Sequence, residues 1–155
     1  MTQRTGIESL SGAVIGISAS LPATYDVAGY DVSSIIFTPI GQAENFGSHG
    51  MVAAVTEFTA IADAVVQKVK GSKNYGTMSL SLGNVPGDAG QALLKIASEA
   101  VNTHYSIEIR YPDTAFHYLD VLVTKFEYVD GAVNDVQKVN VDLAICRPPV
   151  IVPQP

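Results

Sequence analysis

Tyr105, Ile107, Ile109 and Tyr111 alternate along the chain with Ser106, Glu108 and Arg110. A period of two predicts a strand with one buried face. Pro112, Asp113 and Thr114 then supply turn chemistry,. The next segment, 116–128, predicts a longer strand that is apolar on both faces across 119–123. One face is expected to meet the core and the other a partner subunit. Asp130 and Gly131 mark a second turn, after which Val139, Val141, Leu143 and Ile145 alternate with Lys138, Asn140, Asp142 and Ala144. Together these segments predict a β-meander.

Upstream, shorter strands are predicted at 13–20, 34–40, 51–59, 64–70 and 75–83. In the last, Met78, Leu80 and Leu82 face inward while Thr77, Ser79 and Ser81 face outward. One helix follows, opened by Asp88, whose carboxylate suits an N-cap and the positive end of the helix dipole. Leu93, Ile96, Ala97, Ala100 and Val101 recur at helical spacing and are expected to face the core,. Gln91, Lys95, Ser98 and Glu99 take the other side. The fold class expected is mostly β with one helix: two packed antiparallel β-sheets, a β-sandwich or partial barrel, with a flanking α-helix.

No internal linker or repeat divides residues 1–155, so one domain is expected, long enough for a real core,. Residues 1–12 read as an irregular N-terminal arm. The stretch 41–50 is polar with three glycines and reads as a long flexible hairpin loop,. The segment 147–155 carries four prolines, which fix φ and interrupt sheet ladders, and is expected to form an extended C-terminal arm,. Its apolar run Val150, Ile151 and Val152 is expected to dock on its own domain or on a neighbour.

Only 15% of the residues are charged against 47% apolar, low beside the roughly 25% charged of ordinary soluble domains. Surface covered by neighbouring copies would account for that deficit. The net charge of −6 disfavours affinity for nucleic acid through phosphate neutralisation,. The first residues, with Arg4 and Glu8 and no apolar run, do not read as a signal peptide,. Nothing approaches the ~20 apolar residues of a membrane span, so no membrane partner is expected. Cys146, the single cysteine, is expected to be a buried, inert thiol,.

Catalytic chemistry is not legible, and neither an enzyme nor a cofactor is expected. His49, His104 and His117 are scattered without zinc-ligand spacing, and the hairpin pairing is expected to put His117 near Arg110, a poor setting for a cation,. Nucleophile elbows, Walker loops and dinucleotide fingerprints are missing. Acids such as Asp26 with Asp31, or Glu57 with Asp63, read as solvated surface. Tyr25 and Tyr30 read as anchors at strand ends or subunit contacts rather than as a sugar-stacking platform.

From Lys70 onward the order of features resembles a known family. Lys70, Gly71 and Ser72 precede a strand; Gly87 to Leu94, with Gly90, Gln91, Ala92, Leu93 and Leu94, leads into the helix. Arg110, Tyr111, Pro112 and Asp113 close the next strand, and Arg147 and Pro148 follow the last. This order resembles the major tail tube proteins of siphophages, the family of the bacteriophage lambda major tail protein. Phe37, Thr38, Pro39, Ile40 and Gly41 extend the likeness upstream. The turn after Tyr111 departs from the family pattern, lacking a glycine, so a loop longer than two residues is expected.

The resemblance implies a homo-oligomer of hexameric rings stacked into a hollow tail tube of the virion, made and assembled in the host cytoplasm. DNA would pass through it without specific binding. Tape-measure, tail terminator and baseplate proteins are the partners it implies. Candidate lumen-lining residues are Thr77, Ser79 and Ser81 on one strand and Asn140 and Asp142 on another, on a wall short of Lys and Arg. Candidate contacts between subunits or rings are Gln42, Glu44, Asn45, Phe46 and His49 in the long loop, and Val150, Ile151 and Val152 in the arm. Two other readings fit parts of the pattern. One is the inner tube of a contractile tail or type VI secretion system; the other is a carbohydrate-binding β-sandwich module, which the lack of tryptophan disfavours.

Overall fold

In the computed structural model, which describes residues 6–7, 9–31 and 34–153, the expected alternation becomes strands β1 (Val14–Ser18), β2 (Thr38–Pro39), β3 (Ala43–Asn45), β4 (Val52–Thr59), β5 (Val66–Asn74), β6 (Thr77–Gly83), β7 (Tyr105–Arg110), β8 (Phe116–Val129), β9 (Lys138–Ile145) and β10 (Val150–Val152). Helix α1 (Val27–Tyr30) is a single turn, and α2 (Ala89–Glu99) flanks the sheet. The fold is mostly β, with two antiparallel sheets. The larger runs β2-β1-β7-β8-β9-β6-β3, with β10 added to β8; β4 and β5 form the second alone.

The meander β7-β8-β9 follows the hydrophobic register, with Ile107 opposite Leu119 and Val123 opposite Leu143. Ile15 and Ile17 at one end of the sheet, Leu80 and Leu82 near the other, and Leu94 of α2 all belong to a single buried cluster. One apolar face, covered by α2, thus runs across the width of the sheet. The bulge between Val123 and Lys125 adds a bend to β8,. The other face of β8 is covered by its own chain, not left for a partner at Tyr118 and Asp120. The Tyr118 ring stacks on Tyr30 at 4.9 Å, and Asp120 is buried.

Helix α2 begins as expected: the Asp88 carboxylate accepts from Gln91 N at 3.0 Å and from Gly41 N at 3.2 Å. Its orientation differs from the expected one. Gly90, Gln91, Leu94 and Ala97 face inward, while Ile96 and Val101 are exposed. Two contacts set that rotation. A Cβ on Gly90 would lie 2.3 Å from Pro39 O, so glycine lets the helix sit on the β2 backbone,. The buried Gln91 side chain accepts from Val85 N and donates to Gly41 O and Gly83 O.

Three further expectations are revised. The 34–40 segment is strand only at Thr38–Pro39, followed by one more bond to β1 from Ile40 N to Ile15 O at 2.8 Å. The 41–50 segment is not a free loop: β3 pairs with β6, and Ala43 and Phe46 pack against the core. Cys146 is exposed, since Ile145 takes the inward position and the next residue turns out. The turn at 112–114 is longer than two residues, as expected. Tyr111 N donates to Ala115 O at 2.9 Å, and Thr114 takes the left-handed conformation.

The C-terminal arm continues the line of β9. After Ile145, opposite Val121, the chain bulges through 146–149 and resumes with Val150 opposite Tyr118. Pro148 and Pro149 fall in that bulge, where no ladder donor is needed,. The last two residues of the arm, and part of the N-terminal arm expected at 1–12, lie outside the described residues.

Candidate functional site

The β4-β5 hairpin stands apart from the core. Its valine-rich strands pair from Val52 with Asn74 to Thr59 with Val66, with a bulge between Ala53 and Val55. Ala64 N donates to Ala60 O at 2.9 Å to close the turn. Nearly every residue is exposed. Val52, Val55, Phe58, Val66 and Val69 are each more than half exposed, and Ile61 at the tip is fully so. A lone two-stranded hairpin is marginal in water, and clustered exposed apolar side chains mark contact surface. Lys68, Lys70 and Lys73 against Glu57 and Asp63 leave the hairpin at net +1 in a chain of net −6. Strand spacing predicted both strands, but not that they leave the body.

The candidate lumen residues come together on one polar face. β6 and β9 put Ser79 opposite Asp142 and Ser81 opposite Asn140, with Thr77 at the end of the same row. Ser79 Oγ donates to Asp142 at 2.9 Å. β3 adds Glu44, which accepts from Ser81 Oγ at 3.3 Å and pairs with Lys138 at 2.9 Å. That lysine holds the Glu44 carboxyl below the usual carboxylate range. Lys125 stands opposite Asp142 and pairs with Glu127 at 3.1 Å. The face is therefore not short of lysine. Each lysine there is neutralised by a carboxylate, a pattern hidden until the β8 bulge fixed the register.

Of the residues expected to reach neighbouring subunits, most are used at home. Glu44 and Asn45 lie on β3, and Phe46 packs on the core. Gln42 O accepts from Gly83 N at 2.8 Å. Val150, Ile151 and Val152 pair with β8, although the Ile151 side chain remains exposed.

His49 and His117 are brought together: Nε2 of His49 lies 2.7 Å from Nδ1 of His117. Their rings stand edge-on, 5.0 Å apart, with the Tyr111 hydroxyl 3.4 Å from the same Nδ1. Burial pushes both imidazole pKa values down; the His49 charge lowers that of His117 further, and Asp113 raises it. His117 pairs with Ile109, so Arg110 projects from the other side, over the Phe116 ring at 5.8 Å. The expected neighbourhood of His117 and Arg110 is corrected by that one-residue step. Among the described residues, no group of three His, Cys, Asp or Glu could hold a metal.

A second polar cluster fastens the C-terminal arm. Buried Asp120 accepts from Arg147 Nε at 3.1 Å and lies 3.1 Å from His104 Nδ1. The Arg147 guanidinium stacks 3.9 Å from the Tyr25 ring centre. Tyr25 meets Tyr30 edge-on at 6.3 Å, and Tyr30 is buried, so these tyrosines anchor the fold internally. Burial first, then Glu108 and Asp31, push the Tyr118 hydroxyl up to about 12.

No family model and no curated protein matches the sequence. Solved structures do match in fold. The baseplate of the anti-feeding prophage, 6-fold symmetrised, aligns over 97% of this chain and 97% of its own at TM-score 0.68 and 10% identity. The sheath/tube terminator of an extracellular contractile injection system aligns over 96% and 99%, at 0.65 and 10%. The SPP1 tail tube aligns over 92% and 78%, at 0.58 and 13%. The chain has the fold of phage tail-tube-type proteins.

Proposed function

We propose that the chain is a structural subunit of a phage-type tail tube, joining copies of itself into hexameric rings that stack into a hollow conduit for DNA. The observation that carries this is the β4-β5 hairpin, an apolar arm left exposed among the described residues, on a fold seen in tail tubes and their end pieces. Stacking by such an arm is a head-to-tail contact that does not close on itself, and so it propagates. The polar face of Thr77, Ser79, Ser81, Asn140 and Asp142 suits the bore, because the two lysines beside it are each paired with a carboxylate and offer passing phosphates little to hold. Tape-measure, terminator and baseplate proteins are the partners of such a tube, which is built in the host cytoplasm and carried in the virion tail.

A siphophage tail is one setting. The full-length overlap with components of contractile injection machines supports a second, in which a sheath surrounds the tube. Electron microscopy of the concentrated chain tests the shared reading. The wild type is expected to form sixfold tubes. A variant with 53–73 replaced by a short Gly-Ser turn is expected to stay unassembled with its core melting unchanged. Tubes of wild-type length from that variant overturn the reading. Co-assembly with a sheath subunit separates the two settings.

A further inference from the structure

The hairpin leaves the body on two legs, 48–51 before β4 and 75–76 after β5. The second leg turns at Gly76, in the left-handed region, whose N–H donates to Asn74 Oδ1 at 2.8 Å. The first leg is fixed by Gly47, whose N–H donates to Asn45 Oδ1 at 2.7 Å, and then by the His49 ring against His117 on β8. A Cβ at Gly50 would meet nothing within 4 Å, so the backbone beyond His49 stands in open space. His49 is thus the side chain that ties this leg to the large sheet, beside the root of the exposed hairpin.

The nitrogens of the pair face each other. Ring centres 5.0 Å apart and nitrogens 2.7 Å apart leave about the length of two ring radii, so both nitrogens lie near the line of centres,. That is the geometry of one shared proton. With one proton between the rings, the first ring to ionise can keep the bond. When both rings are protonated, two N–H groups point at each other across a distance that holds only one hydrogen.

The surroundings offer little compensation. The Tyr111 hydroxyl is near Nδ1 of His117, and Asp113 is the carboxylate that acts on that ring. Tyr75 lines the same recess as His49. The strand partners of His117 are Ile109 on β7 and Ile151 on β10, both uncharged. Arg110 lies on the opposite face.

We propose that His49 and His117 form an acid-operated latch on the root of the β4-β5 hairpin, closed while at most one proton is shared and open when both rings carry a charge. The direction follows from linkage. Burial holds both pKa values below that of free histidine, so the closed leg binds fewer protons than the open one. Closure is complete above the ordinary histidine range, about pH 6.5, and is lost as pH falls below it. The latch does not depend on what the hairpin binds. If the hairpin is the assembly arm, acid changes the angle at which the arm is offered.

Amide hydrogen exchange on the unassembled chain, corrected for the intrinsic effect of pH, tests the latch. Between about pH 7.5 and about pH 5, protection at Gly47 and at the paired root of β4, Val52 and Ala53, is expected to fall about tenfold or more, while β6 and β9 hold theirs,. His49→Gln, which keeps a neutral hydrogen bond to His117 and cannot take a second proton, is expected to show the same protection at both pH values. His117→Gln is the reciprocal check. Wild-type protection that ignores pH, or a pH dependence that survives in both Gln variants, overturns the proposal. Neither outcome touches the tube reading, because no assembly is measured.

Discussion

Gln91 donates its side-chain amide to the carbonyl oxygen of Gly83 at 2.8 Å, joining the first turn of α2 to the end of β6. The same amide nitrogen reaches Gly41 O at 3.0 Å, and the amide oxygen accepts from Val85 N at 3.1 Å. One buried side chain therefore satisfies backbone groups at three places. Gln91→Leu fills the same space and satisfies none of them. It is expected to cost about 3 kcal/mol in urea unfolding, the scale of buried groups left unpaired. A loss below about 0.5 kcal/mol would mean that water reaches those groups.

Gly90→Ala should also destabilise, against helix propensity. Alanine in a helix gains about 1 kcal/mol over glycine. Here its Cβ would meet Pro39 O at 2.3 Å and Ile40 Cα at 2.7 Å, both backbone. The helix must lift off β2, an overpacking cost of about 2 kcal/mol or more. Thermal melting reads the sign directly, and a higher Tm would show the contact to be slack.

Glu108 stands opposite Tyr118, and its carboxyl pKa is raised chiefly by burial, with Arg110 and the Tyr118 hydrogen bond opposing. A raised folded-state pKa means that the folded protein binds the proton more readily than the unfolded chain. The protonated form thus contributes stability that is lost as pH rises through the folded pKa. Glu108→Gln is expected to be more stable than wild type near neutral pH. Its advantage should fade as pH drops through the carboxylate range. Unfolding midpoints at several pH values check both parts.

Phe58 and Val69 lie on one face of the hairpin, at diagonal positions of the β4-β5 register. Replacing both with Ser removes apolar contacts worth about 1.5–3 kcal/mol each when buried. The unassembled chain buries neither, so its stability should change by no more than about 0.5 kcal/mol. The concentration needed for tubes should rise at least about tenfold, read by sedimentation. Unchanged assembly would place the docking contact on the other face.

Asp142→Lys replaces the acceptor of the Ser79 hydroxyl and stands opposite Lys125. If this face lines the bore, each subunit adds an uncompensated cation to the wall. Tubes should still form, but DNA ejection should slow and recover at higher ionic strength, as phosphate contacts weaken with salt. Ejection at the wild-type rate from well-formed tails would put the face elsewhere.

The period-two pattern by itself determined the meander. Val139, Val141, Leu143 and Ile145 can bury one face in only one register, because a shift by one residue turns every side chain over,. Asp88 likewise announced the start of α2, since an N-cap is a local contact between a carboxylate and the next turn. Local periodicity does not encode what lies on the far side of a pattern. Val55, Phe58 and Val69 look like core in sequence and are exposed, while polar Gln91 is buried. Whether an apolar residue meets core or solvent depends on where its strand goes after the turn, which is settled by packing across the whole sheet. The meeting of His49 and His117 is of the same kind. The pairing of β3 with β6 and the course of the chain after it bring together two rings that sequence separation keeps apart. The tertiary fold alone decides such contacts, because they join segments that carry no local trace of one another.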